Sequence, residues 1–173
     1  MTPPKKYLLD ANIFIEAQHR YYPMDVVPGF WDALLEHHEN KRVFSIDKIK
    51  DEIANHANDL SRWATKTAPP SLFKGTADKK VVDCFGKLME WVEKQAQLTD
   101  AAKEQFANCA DGWLIAYAKI NGLVVVTHEE SRRGAKKSVK IPDICDAFDV
   151  ESTNTFEMLR ELGVQLVRGR PKK

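Results

Sequence analysis

Apolar positions along this chain fall into two rhythms. Short unbroken runs, with Tyr7-Leu8-Leu9 at the end of a strand over about 5 to 9, Arg42 to Ile46, and Leu123 to Thr127, read as buried strands. Between them, apolar residues recur at three- and four-residue spacing. This predicts a helix from Ala11 toward Gln18, a second from Pro28 to Glu39, and a third after Ile46, on which Ile49 and Ile53 share a face. A long amphipathic helix is expected from Asp78 to Gln97, carried by Val81, Phe85, Leu88 and Val92, and a short one after Thr99. Asp111 to Asn121 is helical and stops at Gly122, and Asn154-Thr155-Phe156-Glu157 has capping-box spacing for a helix that ends at Gly163. Val139-Lys140-Ile141 and Val164 to Val167 are predicted as further short strands. Strands alternating with helices predict an α/β fold, three-layered α/β/α around a central mainly parallel sheet. The stretch of about 59–108 is purely helical in pattern, which makes it an added helical segment within a single domain spanning 1–167, followed by a basic tail at 168–173.

The ends of these elements carry acids. Asp10 stops the first apolar run, Asp111 opens a helix, Glu129 follows the Leu123 to Thr127 strand, and Glu52 lies in the helix after Ile46. A helix from Asp111 to Asn121 rises roughly 16 Å at ~1.5 Å per residue, and the following strand returns about that distance at ~3.3 Å per residue. Asp111 and Glu129 therefore come back to one end of the layer, where parallel sheets present ligand sites. Carboxylates repel in a shared cleft, and the commonest purpose of such a cluster is to hold a hard divalent cation. Taken singly, Asp10, Asp47 and Asp111 each stand where a helix-capping carboxylate is expected, at about 1 kcal/mol. Convergence of four acids favours the cation.

Composition narrows the class without choosing the chemistry. With 173 residues, 43% apolar and 29% charged, the chain suits one ordinary globular domain. No run approaches membrane-spanning length and the N-terminus lacks the hydrophobic region of a signal peptide, so a cytoplasmic protein with no membrane partner is expected. Cys84, Cys109 and Cys145 are too scattered for a zinc site and read as reduced thiols. The net charge of +1 gives no global attraction for nucleic acid. Locally, Arg132, Arg133, Lys136, Lys137 and Lys140 leave the strand that ends at the acids, where they are either a solvated surface or a set of RNA-phosphate contacts.

Leu8-Leu9-Asp10-Ala11-Asn12, Lys50-Asp51-Glu52-Ile53, Ala110-Asp111 before an Ala-rich helix, and Val124-Val125-Val126-Thr127-His128-Glu129, in that order, resemble the PIN domain. This family of small metal-dependent ribonucleases includes many toxins of type II toxin-antitoxin pairs, and the likeness is to a toxin-type (VapC-like) member of a little-characterised prokaryotic subgroup. The resemblance implies Mg²⁺ or Mn²⁺ held by Asp10, Glu52, Asp111 and Glu129, which would also be the catalytic residues. Asn12, Ser45, Thr127 and Asp143 would support them. It implies a single-stranded RNA substrate, an antitoxin protein partner and a homodimer. Glu129 stands where the family has an Asp, which weakens a second metal more than the first. Two other readings remain open: a catalytically weak PIN-like scaffold that binds RNA or protein, and another Mg²⁺-dependent phosphoryl-transfer enzyme. Asp10-Ala11-Asn12 lacks the second acid that the latter would normally carry.

Overall fold

A computed structural model of the protein describes residues 3–55 and 58–167, so the basic tail at 168–173 lies outside the described residues. Among them, strands β1 (Tyr7–Leu9), β2 (Val43–Ile46), β3 (Phe73–Lys74), β4 (Val124–Val126) and β5 (Ser152–Thr153) form one sheet in the order β3-β2-β1-β4-β5. Every pairing is parallel, with Leu8 opposite Phe44 on one side and Val125 on the other. Parallel neighbours need crossovers, and these are α1 (Ala11–Glu16), α2 (Pro28–Glu39), α3 (Asp47–Ala54), α4 (Asp59–Arg62), α5 (Lys79–Glu93), α6 (Asp100–Asn108), α7 (Asp111–Asn121) and α8 (Ile141–Ala147), with α9 (Thr155–Glu161) closing the chain. Helices flank the sheet on both faces, giving the three-layer α/β/α arrangement of a PIN-like fold. The strand order reverses direction between β1 and β4. Open parallel sheets bind ligands at such a switch point, beyond the carboxyl ends of the strands.

The three central strands are nearly all apolar because they are covered on both faces: Tyr7, Leu8, Leu9, Val125 and Val126 are fully buried. Helix α7 packs against α5 through Gly112, where an added Cβ would come within 2.9 Å of the Phe85 ring and 3.0 Å of the Met89 methyl. That close approach seats the start of α7 on α5. Gly122 ends α7 at a positive φ of 64°, the left-handed stop anticipated from the sequence.

Three expectations are corrected. Val139-Lys140-Ile141 is not a strand: Ile141 opens α8, with Pro142 in its first turn, where a missing N–H costs nothing. Val164 to Val167 has strand-like composition but among the described residues pairs with no strand, and the edge is taken by β5. The 59–108 stretch is not purely helical, because β3 adds an edge strand beside β2. Both unexpected strands are only two residues long.

Candidate active site

The site begins where β1 ends. The Asp10 backbone N–H donates to Val126 O at 3.1 Å, so the residue after β1 is fixed against β4. Asp10 occupies the N-cap position of α1 yet its side chain makes no capping hydrogen bond. Instead Oδ2 accepts from the Thr127 hydroxyl at 3.1 Å, and Thr127 Oγ1 in turn accepts from the Glu129 N–H at 3.1 Å. Asp10 is only 1% exposed. Burial, followed by the negative charge of Asp111, pushes its pKa up to about 8, against the smaller pull of Thr127. Leu8, Leu9, Ile13 and Phe14 around it are each worth ~1.5–3 kcal/mol of burial, which together outweigh the few kcal/mol of charging a buried carboxylate. The core therefore holds Asp10 inside.

Asp111 is the first residue of α7, following Ala110 at the N-cap, so its carboxylate lies in the first turn of that helix. Burial and then the Glu129 charge raise its pKa to about 6, with a further push from Glu52 and relief from the Cys109 thiol and Lys140. The thiol is itself pushed up to about 12 by burial and by Asp111, so it stays protonated, and Sγ donates to the Phe106 carbonyl at 3.2 Å. Among the four acids, Asp10, Asp111 and Glu129 act on one another most strongly, and Glu52 joins from an exposed position on α3. Glu52 borders an open groove of about 580 Å³ that continues past Cys109 to Trp113.

Glu129 is engaged at both oxygens. Lys140 Nζ lies 3.3 Å from Oε1, and the Ile141 N–H donates to Oε2 at 2.8 Å. Ser45 is fully buried and spends its proton on Leu9 O at 2.8 Å, which ties the ends of β1 and β2 together. Asn12 is exposed on the first turn of α1. Asp143 faces the basic loop: it accepts from the Ser131 hydroxyl and from the Arg132 N–H at 3.2 Å. Arg133 pairs with Asp146 at 3.2 Å, while Arg132, Lys136 and Lys137 form no ion pair among the described residues.

The fold thus gathers Asp10, Asp111, Glu129 and Thr127, with Glu52 at the rim, and turns Asp143 toward the loop. Sequence reasoning missed Cys109, although its position two residues before Asp111 is the kind of spacing that could have drawn notice. It also missed the Lys140 to Glu129 pair, for which no periodic signal exists. Asp47, by contrast, is fully occupied, accepting from the Lys48 N–H, the Thr76 N–H and the Thr76 hydroxyl.

Oxygen donors of this kind suit Mg²⁺ or Mn²⁺. As they stand, no group of three or more His, Cys, Asp or Glu side chains among the described residues is closed to ligand geometry. The donor chemistry nevertheless fits a hard cation: two buried carboxylates have raised pKa values, and among the described residues neither forms an ion pair with Lys or Arg. Among the described residues, no helix is long and apolar enough to cross a membrane.

Among solved structures, the chain is similar to FitAB bound to an IR36 DNA fragment, at 18% identity and a TM-score of 0.52, covering 86% of this chain and 94% of that one. It is also similar to FitAcB from Neisseria gonorrhoeae, at 19% identity and a TM-score of 0.51, covering 87% and 98%. At that identity the likeness speaks for the fold. No curated protein matches the sequence. Residues 7–166 match the family described as a domain of unknown function, DUF4411, a span that runs from β1 past α9 and takes in every acid of the site, so the chain belongs to that family.

Proposed function

We propose that the protein is a metal-dependent endoribonuclease that cleaves single-stranded RNA, acting as the toxin of a toxin-antitoxin pair. One observation carries this reading: two buried carboxylates, Asp10 and Asp111, meet at the switch point of a parallel sheet, both raised in pKa by burial and by neighbouring acids. Such an arrangement costs stability unless a cation offsets it. Asp10 and Asp111 would hold one Mg²⁺ or Mn²⁺, with Glu52 reaching it from the rim. When bound, that ion supplies positive charge to acidify an attacking water and to offset charge on the leaving oxygen of a phosphodiester.

The chain's own residues do the rest. Thr127 holds the Asp10 carboxylate in one orientation, and Ser45 fixes the strand end from which Asp10 projects. Asn12 stands where it can orient water beside Asp10. Lys140 and the Ile141 N–H occupy both oxygens of Glu129, which supports a single-ion site with Glu129 as a neutralised neighbour. Arg132, Arg133, Lys136 and Lys137 offer phosphate contacts along the approach. The toxin role and an antitoxin partner rest on the PIN resemblance of the motifs, with the FitAB likeness as support at the level of fold.

A scaffold that binds RNA without cutting it is the second reading, favoured by the same engagement of Glu129. Incubating the protein with single-stranded RNA in Mg²⁺, in Mn²⁺ and in chelator, beside a generic phosphomonoester, separates the readings. Metal-dependent RNA cleavage lost in Asp10→Asn supports the nuclease, binding without cleavage supports the scaffold, and phosphomonoester turnover alone contradicts both.

A further inference from the structure

A second concave feature lies beside the acids. A cavity of about 350 Å³ opens between the end of α5 and the basic loop at 131–140. Trp91 and Gln95 line it from the end of α5, and Arg132, Arg133 and Lys140 from the loop, with Asp143 and Asp146 of α8 also in the lining. Asp146 pairs with Arg133 at an exposed site and Lys140 with Glu129, which leaves Arg132 as the guanidinium without an ion pair among the described residues. The cavity and the acidic cluster therefore share a side chain. Its walls are fixed: the Thr99 N–H donates to Lys136 O at 3.0 Å, which staples the loop to the inserted helices, and Asp143 holds the loop's first turn. The Trp91 ring stands edge-on to Phe148, with centroids 6.1 Å apart at 78°, and Gln95 donates to the Trp91 carbonyl at 3.0 Å.

An aromatic wall opposite guanidinium groups is the combination by which proteins hold unpaired bases, stacking the ring while neutralising adjacent phosphates. The volume is at the lower end for a small-ligand pocket and excludes a duplex. We propose that this cavity takes one unpaired nucleobase of the RNA strand, stacked on Trp91, while Arg132 and Arg133 hold the flanking phosphates and lead the chain past Lys140 to the acids. The inference rests on the RNA reading given above. It assigns a role to the inserted helices, which supply the stacking wall that the sheet itself lacks. Stacking tolerates any base, so the site selects single strands over duplexes and carries little sequence preference.

The test is binding by the full chain in chelator, where cleavage does not intervene. Two labelled probes of equal length and charge are compared: a six-nucleotide single-stranded RNA and the corresponding abasic ribose-phosphate chain. The wild type should bind the RNA about tenfold more tightly than the abasic probe. Trp91→Ala should remove that advantage while leaving abasic affinity within about twofold, and Trp91→Phe should restore most of it. Equal affinity of the wild type for both probes overturns the base pocket and leaves RNA binding through the backbone intact. An equal loss for both probes in Trp91→Ala, with no recovery in Trp91→Phe, also overturns it. Failure of the wild type to bind either probe overturns the RNA reading along with the pocket.

Discussion

The two ends of the same sheet treat their acids in opposite ways. At the amino end, Lys5 pairs with Glu151 at 2.5 Å and with Glu161 at 3.6 Å, and Tyr7 donates its hydroxyl to Glu161 at 2.5 Å. The Tyr7 hydrogen bond and the Lys5 charge hold Glu161 below its ordinary pKa, so ionisation there is favoured. At the carboxyl end, Asp10 and Asp111 are buried, form no ion pair among the described residues, and are both raised. One sheet and one solvent thus give two electrostatic outcomes. The amino end is finished by the chain itself, whereas the carboxyl end is left with negative charge that an outside cation would complete.

Breaking the carboxyl end should have the largest effect. Asp10→Asn and Asp111→Asn are nearly isosteric, and each should lower RNA cleavage by roughly a hundredfold or more, because even groups one step removed from a metal typically cost ~10–100-fold. Steady-state cleavage assays beside circular dichroism of the folded variants check this, and a variant cutting at more than a tenth of the wild-type rate would remove that acid from the site. Glu129→Gln should cost less than either, since Lys140 and Ile141 already engage that carboxylate.

The next effect is on stability and needs no substrate. In the metal-free protein the folded value of Asp10, about 8, lies above its ordinary 3.8, so between those values the folded state keeps a proton that the unfolded chain has released. The stabilisation is full below pH ~4 and is lost as pH rises through about 8, with a slope of at most ~1.4 kcal/mol per pH unit for the one group. Chemical denaturation in chelator at a series of pH values should show this fall, and Asp10→Asn should flatten it. Glu161 has the opposite sign: its lowered value gives a contribution present above its ordinary pKa and lost toward acid.

The basic loop should show a smaller, graded effect. Neutralising Arg132, Arg133, Lys136 and Lys137 should weaken RNA binding and reduce its salt slope by about one for each phosphate contact removed. An unchanged slope would assign the loop to solvent or to a protein partner. Smallest of all, Tyr7→Phe at the amino end should lower stability slightly through one lost hydrogen bond to an exposed carboxylate, with RNA cleavage and metal response unaltered. If Tyr7→Phe impaired cleavage as Asp10→Asn does, the contrast between the two ends would collapse.

What could be read in the sequence follows the same physics. Asp10 and Asp111 were legible because each interrupts a strong apolar pattern at a point that topology must bring to the sheet edge. Gly122, Pro28 and Thr99 were legible because their backbone chemistry is local. The edge strands were not: Phe73–Lys74 and Ser152–Thr153 are too short for periodicity, and their pairing with Ser45 and Val125 is decided by distant chain. Val164 to Val167 had the residues of a strand and found no partner strand among the described residues. Lys140 was read as one cation among five, and only the turn at Ile141 shows that it faces Glu129.

The central claim is that the carboxyl-end acids form one site completed by a cation, and thermal melting of the wild type and Asp111→Asn, each in chelator and in saturating Mn²⁺, tests it most directly. At a hundredfold excess over the dissociation constant, one site should add about 2.7 kcal/mol to the wild type, a rise of roughly 5–11 °C for a domain of this size. Asp111→Asn should melt higher than the wild type in chelator, because it removes a repelling charge, and should lose most of the rise in Mn²⁺. A wild type as stable as the variant in chelator, with no response to Mn²⁺, would show that these acids do not share a cation site.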